Sequence, residues 1–270
     1  MRSRTVTGGG GVKIHVEEHG PRDAHPILLI HGFSQSRLAW TPQFESALAD
    51  DYRLVAMDLR GHGASGTPAD PDAYHDSTLW ADDVRAVVTD LDQPTVVGWS
   101  YGGLVVADYL ATHGDDAVSG VVLVGAITEK GTADANRFAG EEFVALDSGF
   151  RSTDAEESVA TLESFVDLCV AGELDDAARY RALGYNVAVP PFVRAAMQGR
   201  TVEHEAVLAE LATPVRLIHG AADPVVRPAA ARKHVDLFPS ATLSVYEGVG
   251  HSPFVEAPAR FESDLRDFLA

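Results

Sequence analysis

The sequence predicts an α/β protein, in which a parallel-sheet domain carries a helical insertion. Short apolar, β-branched runs alternate with helix-like patterns up to about residue 126, and the alternation resumes after residue 211. Between these parts, residues 127–211 are acidic and mostly helical in pattern. We therefore expect a core made of residues 1–126 and 212–270, and a separate helical insertion made of residues 127–211.

The first predicted elements are a hairpin and two further strands. Two extended segments, 5–7 and 12–17, flank a run of four glycines and predict a hairpin. Residues 26–30 are continuously apolar, as expected for a strand that is buried on both faces. A helical stretch at 37–48 and a strand at 52–57 follow, and they predict the first strand–helix–strand repeat.

The next elements surround Ser100. Apolar residues recur at helical spacing in 78–91, so a helix is predicted there. A β-branched strand is predicted before the serine, at 94–98, and a helix after it, at 104–112. Another buried strand is predicted at 118–124. These segments continue the strand–helix alternation that is expected of a parallel-sheet domain.

The last elements complete the sheet after the helical insertion. Strands are predicted at 214–218 and 242–246, and each is followed by a helix, at 227–238 and 258–269. Inside the insertion, glycines and the Pro190-Pro191 pair break the helical pattern into several short segments.

Ser100 lies in the sequence Gly98-Trp99-Ser100-Tyr101-Gly102, where a strand passes directly into a helix. This Gly-x-Ser-x-Gly pattern is typical of a sharp turn that holds a nucleophilic serine above the end of a strand. The glycines are needed because a Cβ would collide with the neighbouring backbone. The following helix directs its positive N-terminal end toward a developing oxyanion. A tight turn without chemistry is the alternative when the motif is taken alone.

A serine nucleophile needs a base and a residue that orients the base. His251 lies in a glycine-rich loop between the last strand and the last helix, and Asp223 follows the penultimate strand, where Pro224 restricts it to extended conformations. Singly, these are ordinary loop and turn residues. Because ligands bind beyond the carboxyl ends of parallel strands, three such residues after three different strands predict the catalytic set Ser100, Asp223 and His251.

An oxyanion hole requires two backbone N–H groups near the serine. We expect them to come from Tyr101, directly after the serine, and from Phe33, in the loop after the strand at 26–30. His31 is predicted to brace that loop. Trp99 and Phe254, beside the catalytic residues, predict an apolar substrate pocket.

As a set, these segments resemble the α/β-hydrolase superfamily over nearly the whole chain. The matching segments are His31-Gly32-Phe33, Asp58 to Ser65, Gly98 to Gly103, Gly220 to Pro224 and Gly250 to Pro258. The resemblance implies an eight-stranded, mostly parallel sheet with helices on both faces, and it implies that residues 127–211 are a mobile cap over the active site. A serine nucleophile argues against the dehalogenases and epoxide hydrolases of this superfamily, which use an aspartate.

The expected reaction is hydrolysis of a carboxylic ester of a small apolar or aryl substrate through an acyl-enzyme. The same residues would also suit a lactonase, a thioester hydrolase, a carbon–carbon bond hydrolase or a cofactor-free perhydrolase. A hydrolase-fold receptor with low turnover is the alternative from another class of protein. A single small-molecule substrate is the only partner expected, and the oligomeric state is left open.

We expect no cofactor and no metal. The Gly61 to Gly66 segment matches a dinucleotide-binding pattern, but the proline-rich stretch after it cannot open the required helix. His204-Glu205 lacks the second histidine of a zinc helix. Cys169 is the only cysteine, so neither an intramolecular disulfide nor a multi-cysteine metal site is possible.

The charge balance is strongly acidic. The chain has 40 Asp and Glu against 21 Lys and Arg, a formal net charge of −19, which argues against nucleic-acid binding. No apolar run is long enough to span a membrane, and the first residues do not form a signal peptide. We therefore expect a cytoplasmic protein that does not bind membranes.

Only three of the basic residues are lysines, and with the acidic excess this composition resembles that of proteins from salt-accumulating halophiles. Mutual repulsion of the surface charges weakens the compact state at low salt, whereas at 1 M salt the Debye length falls to about 3 Å. We predict that the thermal unfolding midpoint rises from low salt to molar potassium chloride, as followed by circular dichroism. A midpoint that does not rise would refute the halophile interpretation.

Overall fold

The computed structural model describes residues 1–270 and contains a single eight-stranded sheet. The strands are β1 (Arg2–Thr7), β2 (Lys13–His19), β3 (Pro26–Ile30), β4 (Arg53–Met57), β5 (Thr95–Trp99), β6 (Gly120–Val124), β7 (Val215–Gly220) and β8 (Ala241–Tyr246). Their order is β1-β2-β4-β3-β5-β6-β7-β8. Only the β1–β2 and β2–β4 pairs are antiparallel, so the mostly parallel eight-stranded sheet predicted from the resemblance is confirmed.

Fifteen α-helices connect the strands or follow them. They are α1 (Thr41–Phe44), α2 (Leu48–Asp51), α3 (Asp72–His75), α4 (Ser77–Val88), α5 (Tyr101–His113), α6 (Ala133–Asn136), α7 (Glu141–Ala145), α8 (Asp147–Arg151), α9 (Ala155–Leu168), α10 (Asp176–Val187), α11 (Pro191–Gln198), α12 (Glu205–Leu208), α13 (Ala229–Leu237), α14 (Pro253–Glu256) and α15 (Pro258–Leu269). Two 3₁₀ turns lie at Gly9–Gly11 and Arg37–Trp40. Seven helices, α6 to α12, lie between β6 and β7, where the helical insertion is predicted. None of the helices combines the length and the apolar character needed to cross a lipid bilayer.

The largest difference from the predicted elements lies at 37–48, which is not one helix. The segment consists of a 3₁₀ turn, α1 and the start of α2. A serine hydroxyl caps the start of the 3₁₀ turn, where Ser36 Oγ accepts the N–H of Leu38 at 3.2 Å. A second one starts α2, where Ser46 Oγ accepts the N–H of Leu48 at 3.2 Å. Such local hydrogen bonds favour new helix starts over continuation of a helix.

Both faces of the sheet are buried, as the continuous apolar runs predicted. Along β3, Leu28 and Ile30 belong to the larger hydrophobic cluster, whereas Ile27 and Leu29 belong to a smaller cluster on the other face. Trp99 lies in the smaller cluster. This alternation follows from the twofold period of side chains along a strand.

The helical insertion packs over the carboxyl-terminal end of β3. The rings of Phe143, Phe150 and Phe165 surround Phe33 at centroid distances of 6.4, 5.0 and 6.1 Å. Farther along the insertion, the buried guanidinium of Arg200 donates to the Asp108 carboxylate in α5 at 2.7 Å. The insertion therefore lies against the same end of the sheet as Ser100.

Candidate active site

Ser100 occupies a strained turn between β5 and α5. Its backbone angles are φ 54° and ψ −118°, a conformation that residues other than glycine rarely adopt. A Cβ built on Gly98 would lie 2.8 Å from the carbonyl oxygen of Gly102, and a Cβ on Gly102 would lie 2.5 Å from that of Ile30. Both glycines of the motif are therefore required by close backbone contacts, and strain of this kind is typical of functional sites.

Asp223 and His251 form a buried hydrogen-bonded pair. His251 Nδ1 and Asp223 Oδ2 are 2.8 Å apart, and both side chains are almost fully buried. The other carboxylate oxygen, Oδ1, accepts the backbone N–H groups of Val225 at 2.8 Å and Val226 at 2.9 Å. The carboxylate is therefore fixed from both sides, and it orients the His251 ring.

A second histidine, His219 at the end of β7, lies beside the same carboxylate. Its Nε2 donates to the Val226 carbonyl oxygen at 2.9 Å and lies 3.2 Å from Asp223 Oδ2. Burial alone would raise the pKa of the Asp223 carboxyl, but the His251 and His219 rings hold it well below its ordinary value. Asp223 is therefore ionised at neutral pH.

Ser100 and His251 lie at the same end of the sheet without a direct hydrogen bond between them. The indole Nε1 of Trp99, next to the serine, donates to the His251 carbonyl oxygen at 2.9 Å. A Cβ on Gly125, which follows β6, would lie 3.2 Å from His251 Nδ1 and 3.3 Å from Asp223 Oδ2. His251 Nε2 makes no hydrogen bond to another protein group.

The two predicted oxyanion donors are both free. The backbone N–H groups of Phe33 and Tyr101 donate to no other group of the protein. Gly32 allows the loop that carries Phe33 to lie close to the serine, because a Cβ on Gly32 would lie 3.1 Å from Ser100 Cβ. Unpartnered N–H groups beside a nucleophile are what an oxyanion hole requires.

His31 braces this loop, in agreement with the sequence. Its Nε2 accepts the N–H of Leu59 at 3.0 Å, so its Nδ1 carries the proton and donates to the Gly32 carbonyl oxygen at 2.9 Å. Complete burial lowers the pKa of the ring to about 4. The ring is therefore neutral at pH 7 and fixes the backbone that leads to Phe33.

Ser100, Phe33 and Tyr101 line a common inner cavity of about 70 Å³. Its apolar wall includes Phe143 from α7 and Val226 from the loop after β7. An outer cavity of about 350 Å³ borders it. The two share the lining residues Lys130, Asn136, Ala139, Phe143 and Gln198, all from the helical insertion. The outer cavity therefore adjoins the inner one along a wall that the insertion forms.

Trp99 and Phe254 do not line the inner cavity that contains Ser100. They line a third cavity, of about 80 Å³, which Ser100 does not line. Their rings pack against each other with centroids 4.9 Å apart, and Phe254 also packs on Trp40 at 4.3 Å. In this position Trp99 and Phe254 support the fold around His251, and their contact with substrate stays a prediction.

Three residues of the site were not predicted from the sequence. His219 lies four residues before Asp223, directly after the strand predicted at 214–218, and that position was the available signal. Gly125 has φ 49°, a left-handed conformation that favours glycine, and its closeness to His251 and Asp223 follows only from the tertiary structure. Lys130 is one of only three lysines, and its position in the cavity wall depends on how the insertion folds.

Comparison with known proteins places this geometry in context. Residues 25–258 match the family model for the alpha/beta hydrolase fold. The chain is 31% identical to the non-heme chloroperoxidase CPO-A1 of Kitasatospora aureofaciens, over 96% of both chains. It is 43% identical to the bifunctional esterase/perhydrolase DCH of Acinetobacter calcoaceticus, over 45% of this chain and 44% of that protein. The crystal structure of the esterase RhEst1 from Rhodococcus sp. ECU1013 superposes with a TM-score of 0.94 and 39% identity, covering 99% of this chain and 98% of that chain.

Proposed function

Because the chain belongs to the alpha/beta hydrolase fold family, we propose that it is a serine esterase that forms an acyl-enzyme on Ser100. Its substrates in this proposal are carboxylic esters of small apolar or aryl compounds. The observation that carries the proposal is the 2.8 Å hydrogen bond between His251 and Asp223, at the same end of the sheet as the strained Ser100. The similarity to esterases supports ester hydrolysis as the reaction class.

In the first half of the reaction, His251 Nε2 removes the proton from Ser100 Oγ as the oxygen attacks the ester carbonyl. Negative charge develops on the carbonyl oxygen, and the N–H groups of Phe33 and Tyr101 stabilise it. The imidazolium then gives its proton to the departing alcohol, which leaves the acyl group on Ser100. The ionised Asp223 stabilises the imidazolium throughout.

In the second half, a water molecule takes the place of the alcohol. His251 Nε2 accepts a proton from this water as its oxygen attacks the acyl carbonyl, and the same two N–H groups hold the second oxyanion. Collapse of this intermediate releases the carboxylic acid and returns the proton to Ser100 Oγ. No other protein group has to exchange a proton in this scheme.

The helical insertion acts as a cap in this proposal, with the bounds 127–211. Binding pockets for drug-sized ligands commonly measure about 300–1,000 Å³, whereas the inner cavity measures only about 70 Å³. An aryl ester therefore requires the phenylalanines of the insertion to move away from Phe33. Displacement of the insertion would join the inner cavity to the outer one.

A second candidate reaction is perhydrolysis on the same acyl-enzyme. The similarity to a bifunctional esterase/perhydrolase and to a non-heme chloroperoxidase favours it. Hydrogen peroxide would then attack the acyl group in place of water and release a peracid. Lactones, thioesters and carbon–carbon bonds stay further alternatives on the same residues.

An active-site label tests the acyl-enzyme directly. We expect a fluorophosphonate to inactivate the protein with one adduct per chain on Ser100, because in this mechanism His251 activates the hydroxyl of this serine as the nucleophile. Peptide mass spectrometry identifies the site, and hydrolysis of 4-nitrophenyl butyrate reports activity in parallel. Addition of hydrogen peroxide to the same assay, with detection of the peracid, separates the two candidate reactions.

An active protein without an adduct on Ser100 would contradict the proposed mechanism. A well-folded protein that binds these esters with neither turnover nor adduct would instead be a receptor. The exposed hydroxyl of Ser164, on α9, serves as the internal comparison, since it has no neighbouring imidazole and should stay unlabelled.

A further inference from the structure

The inner and outer cavities are lined by only three charged side chains, Glu129, Lys130 and Asp147. Glu129 is bound by the ammonium of Lys233. Asp147 is held by the Arg151 guanidinium through two hydrogen bonds of 3.0 Å. Lys130 alone has no carboxylate within salt-bridge distance, and its Nζ donates instead to Gln198 Oε1 at 2.8 Å.

The position of Lys130 is fixed by the backbone. Its N–H donates to the Val202 carbonyl oxygen at 2.9 Å, and the Val202 N–H returns a bond of 2.8 Å to its carbonyl oxygen. Burial lowers the pKa of the ammonium to about 8, although Asp147 partly opposes this effect. The side chain is therefore still largely charged at pH 7. A partly buried charge without a carboxylate in salt-bridge contact is unfavourable, and a ligand of opposite charge would relieve this cost.

Two amide side chains beside Lys130 have free donors. Gln198 accepts from Lys130 through Oε1, and its amide N–H groups donate to no protein group. The side chain of Asn136 makes no hydrogen bond within the protein. Both residues line the inner and the outer cavity together with Lys130. An ammonium and two amide groups form a suitable set of donors for a carboxylate.

The other two lysines of the chain differ from Lys130. Lys233 is surrounded by Glu129, Asp134 and Glu205, and these carboxylates neutralise it. Lys13 is exposed on β2 and bonds to the Thr7 hydroxyl at 2.6 Å. In a chain with a net charge of −19, the cavity next to Ser100 thus contains a cation that has no salt-bridge partner.

We propose that Lys130, with Gln198 and Asn136, binds a carboxylate of the substrate, so that the esters hydrolysed at Ser100 are those that also carry a free carboxylate. This inference rests on the proposed esterase function. It assigns one charged end and one ester end to the substrate. The substrate carboxylate lies beside Lys130, where the inner cavity borders the outer cavity. The ester carbonyl lies between Ser100 and the N–H groups of Phe33 and Tyr101.

Matched pairs of substrates test this assignment. On the acyl side, monomethyl adipate is compared with methyl 6-methylheptanoate, in which an isopropyl group replaces the carboxylate. On the alcohol side, 4-acetoxybutanoate is compared with 4-methylpentyl acetate. Hydrolysis is followed at pH 7 and constant ionic strength by chromatography of the products, so that kcat and KM are obtained for each ester.

The key variant is Lys130→Met, which removes the charge and leaves an unbranched side chain that is one atom shorter. Hydrogen bonds to charged groups stabilise a bound partner more than hydrogen bonds between neutral groups do. We therefore expect kcat/KM for the anionic ester of at least one pair to fall about 10- to 100-fold, mainly through KM. The isosteric neutral ester should change less than about threefold. Lys130→Arg should retain most of the preference, and Lys13→Met controls for the altered net charge.

Different outcomes would contradict the carboxylate site and the esterase function. A loss shared equally by the anionic and neutral esters would show that Lys130 only holds the insertion in place, and an unchanged ratio in both pairs would exclude carboxylate binding. Wild-type protein that hydrolyses the neutral esters but neither anionic ester would also overturn this inference, while leaving the esterase function intact. Failure to hydrolyse any of the four esters, or turnover that persists in Ser100→Ala, would instead count against the proposed function itself.

Discussion

Ser100→Ala is expected to lower kcat for ester hydrolysis about 10⁶-fold, the scale observed when the nucleophile of a serine-protease triad is removed. The reason is that no acyl-enzyme forms without Oγ, and what is left is the stabilisation of an oxyanion by the Phe33 and Tyr101 N–H groups. Those groups belong to the backbone, so the substitution leaves them in place. KM should change little, because the substitution removes one hydroxyl and leaves the other residues that line the cavity in place.

The measurement is single-turnover and steady-state hydrolysis of 4-nitrophenyl butyrate, with the variant purified apart from any wild-type protein. Ser164→Ala is the matched control, because it removes a hydroxyl from an exposed position of α9. Circular dichroism shows whether both variants keep the wild-type fold. A Ser100→Ala variant that retains more than about 1% of wild-type kcat would show that another group is the nucleophile.

The sequence was sufficient to predict most of the sheet. Continuous apolar runs such as 26–30 and 94–98 have a strong pattern because both faces of these strands are buried. Their observed bounds, Pro26–Ile30 and Thr95–Trp99, differ from the predicted ones by at most one residue. The sharp turn at Ser100 was equally predictable from the sequence, because close backbone contacts allow only glycine at positions 98 and 102.

What the sequence could not predict depends on tertiary packing. Trp99 and Phe254 are close in sequence to Ser100 and His251, but alternation along β5 directs Trp99 to the opposite face from Val96. Proximity along the chain was therefore a poor guide to the cavity wall. Lys130 reaches the cavity only because its strand-like pairing with Val202 folds the two ends of the insertion together.

Asp223→Asn is expected to lower kcat about 10⁴-fold, as in serine proteases where the same change leaves the geometry intact. In the wild type, Oδ1 accepts two backbone N–H groups, while Oδ2 faces His251 Nδ1 at 2.8 Å. An asparagine can present its oxygen to only one of these two sides. Backbone N–H groups cannot become acceptors, whereas an imidazole can change its tautomer. The amide oxygen should therefore stay with Val225 and Val226.

The amide NH₂ of the variant then faces His251, whose Nδ1 must become the acceptor. The proton consequently moves to Nε2, and the histidine presents a donor to Ser100 where the reaction needs a base. Steady-state kinetics should show the loss in kcat, and ¹⁵N chemical shifts of the imidazole should show the changed tautomer. Asp154→Asn is the matched control, because it removes one charge from an exposed helix cap that asparagine also forms well. Near-normal activity in Asp223→Asn, combined with a lower unfolding temperature, would mean that the amide had turned its oxygen toward His251. The two backbone N–H groups would then be the unsatisfied partners, and the tautomer argument would be wrong.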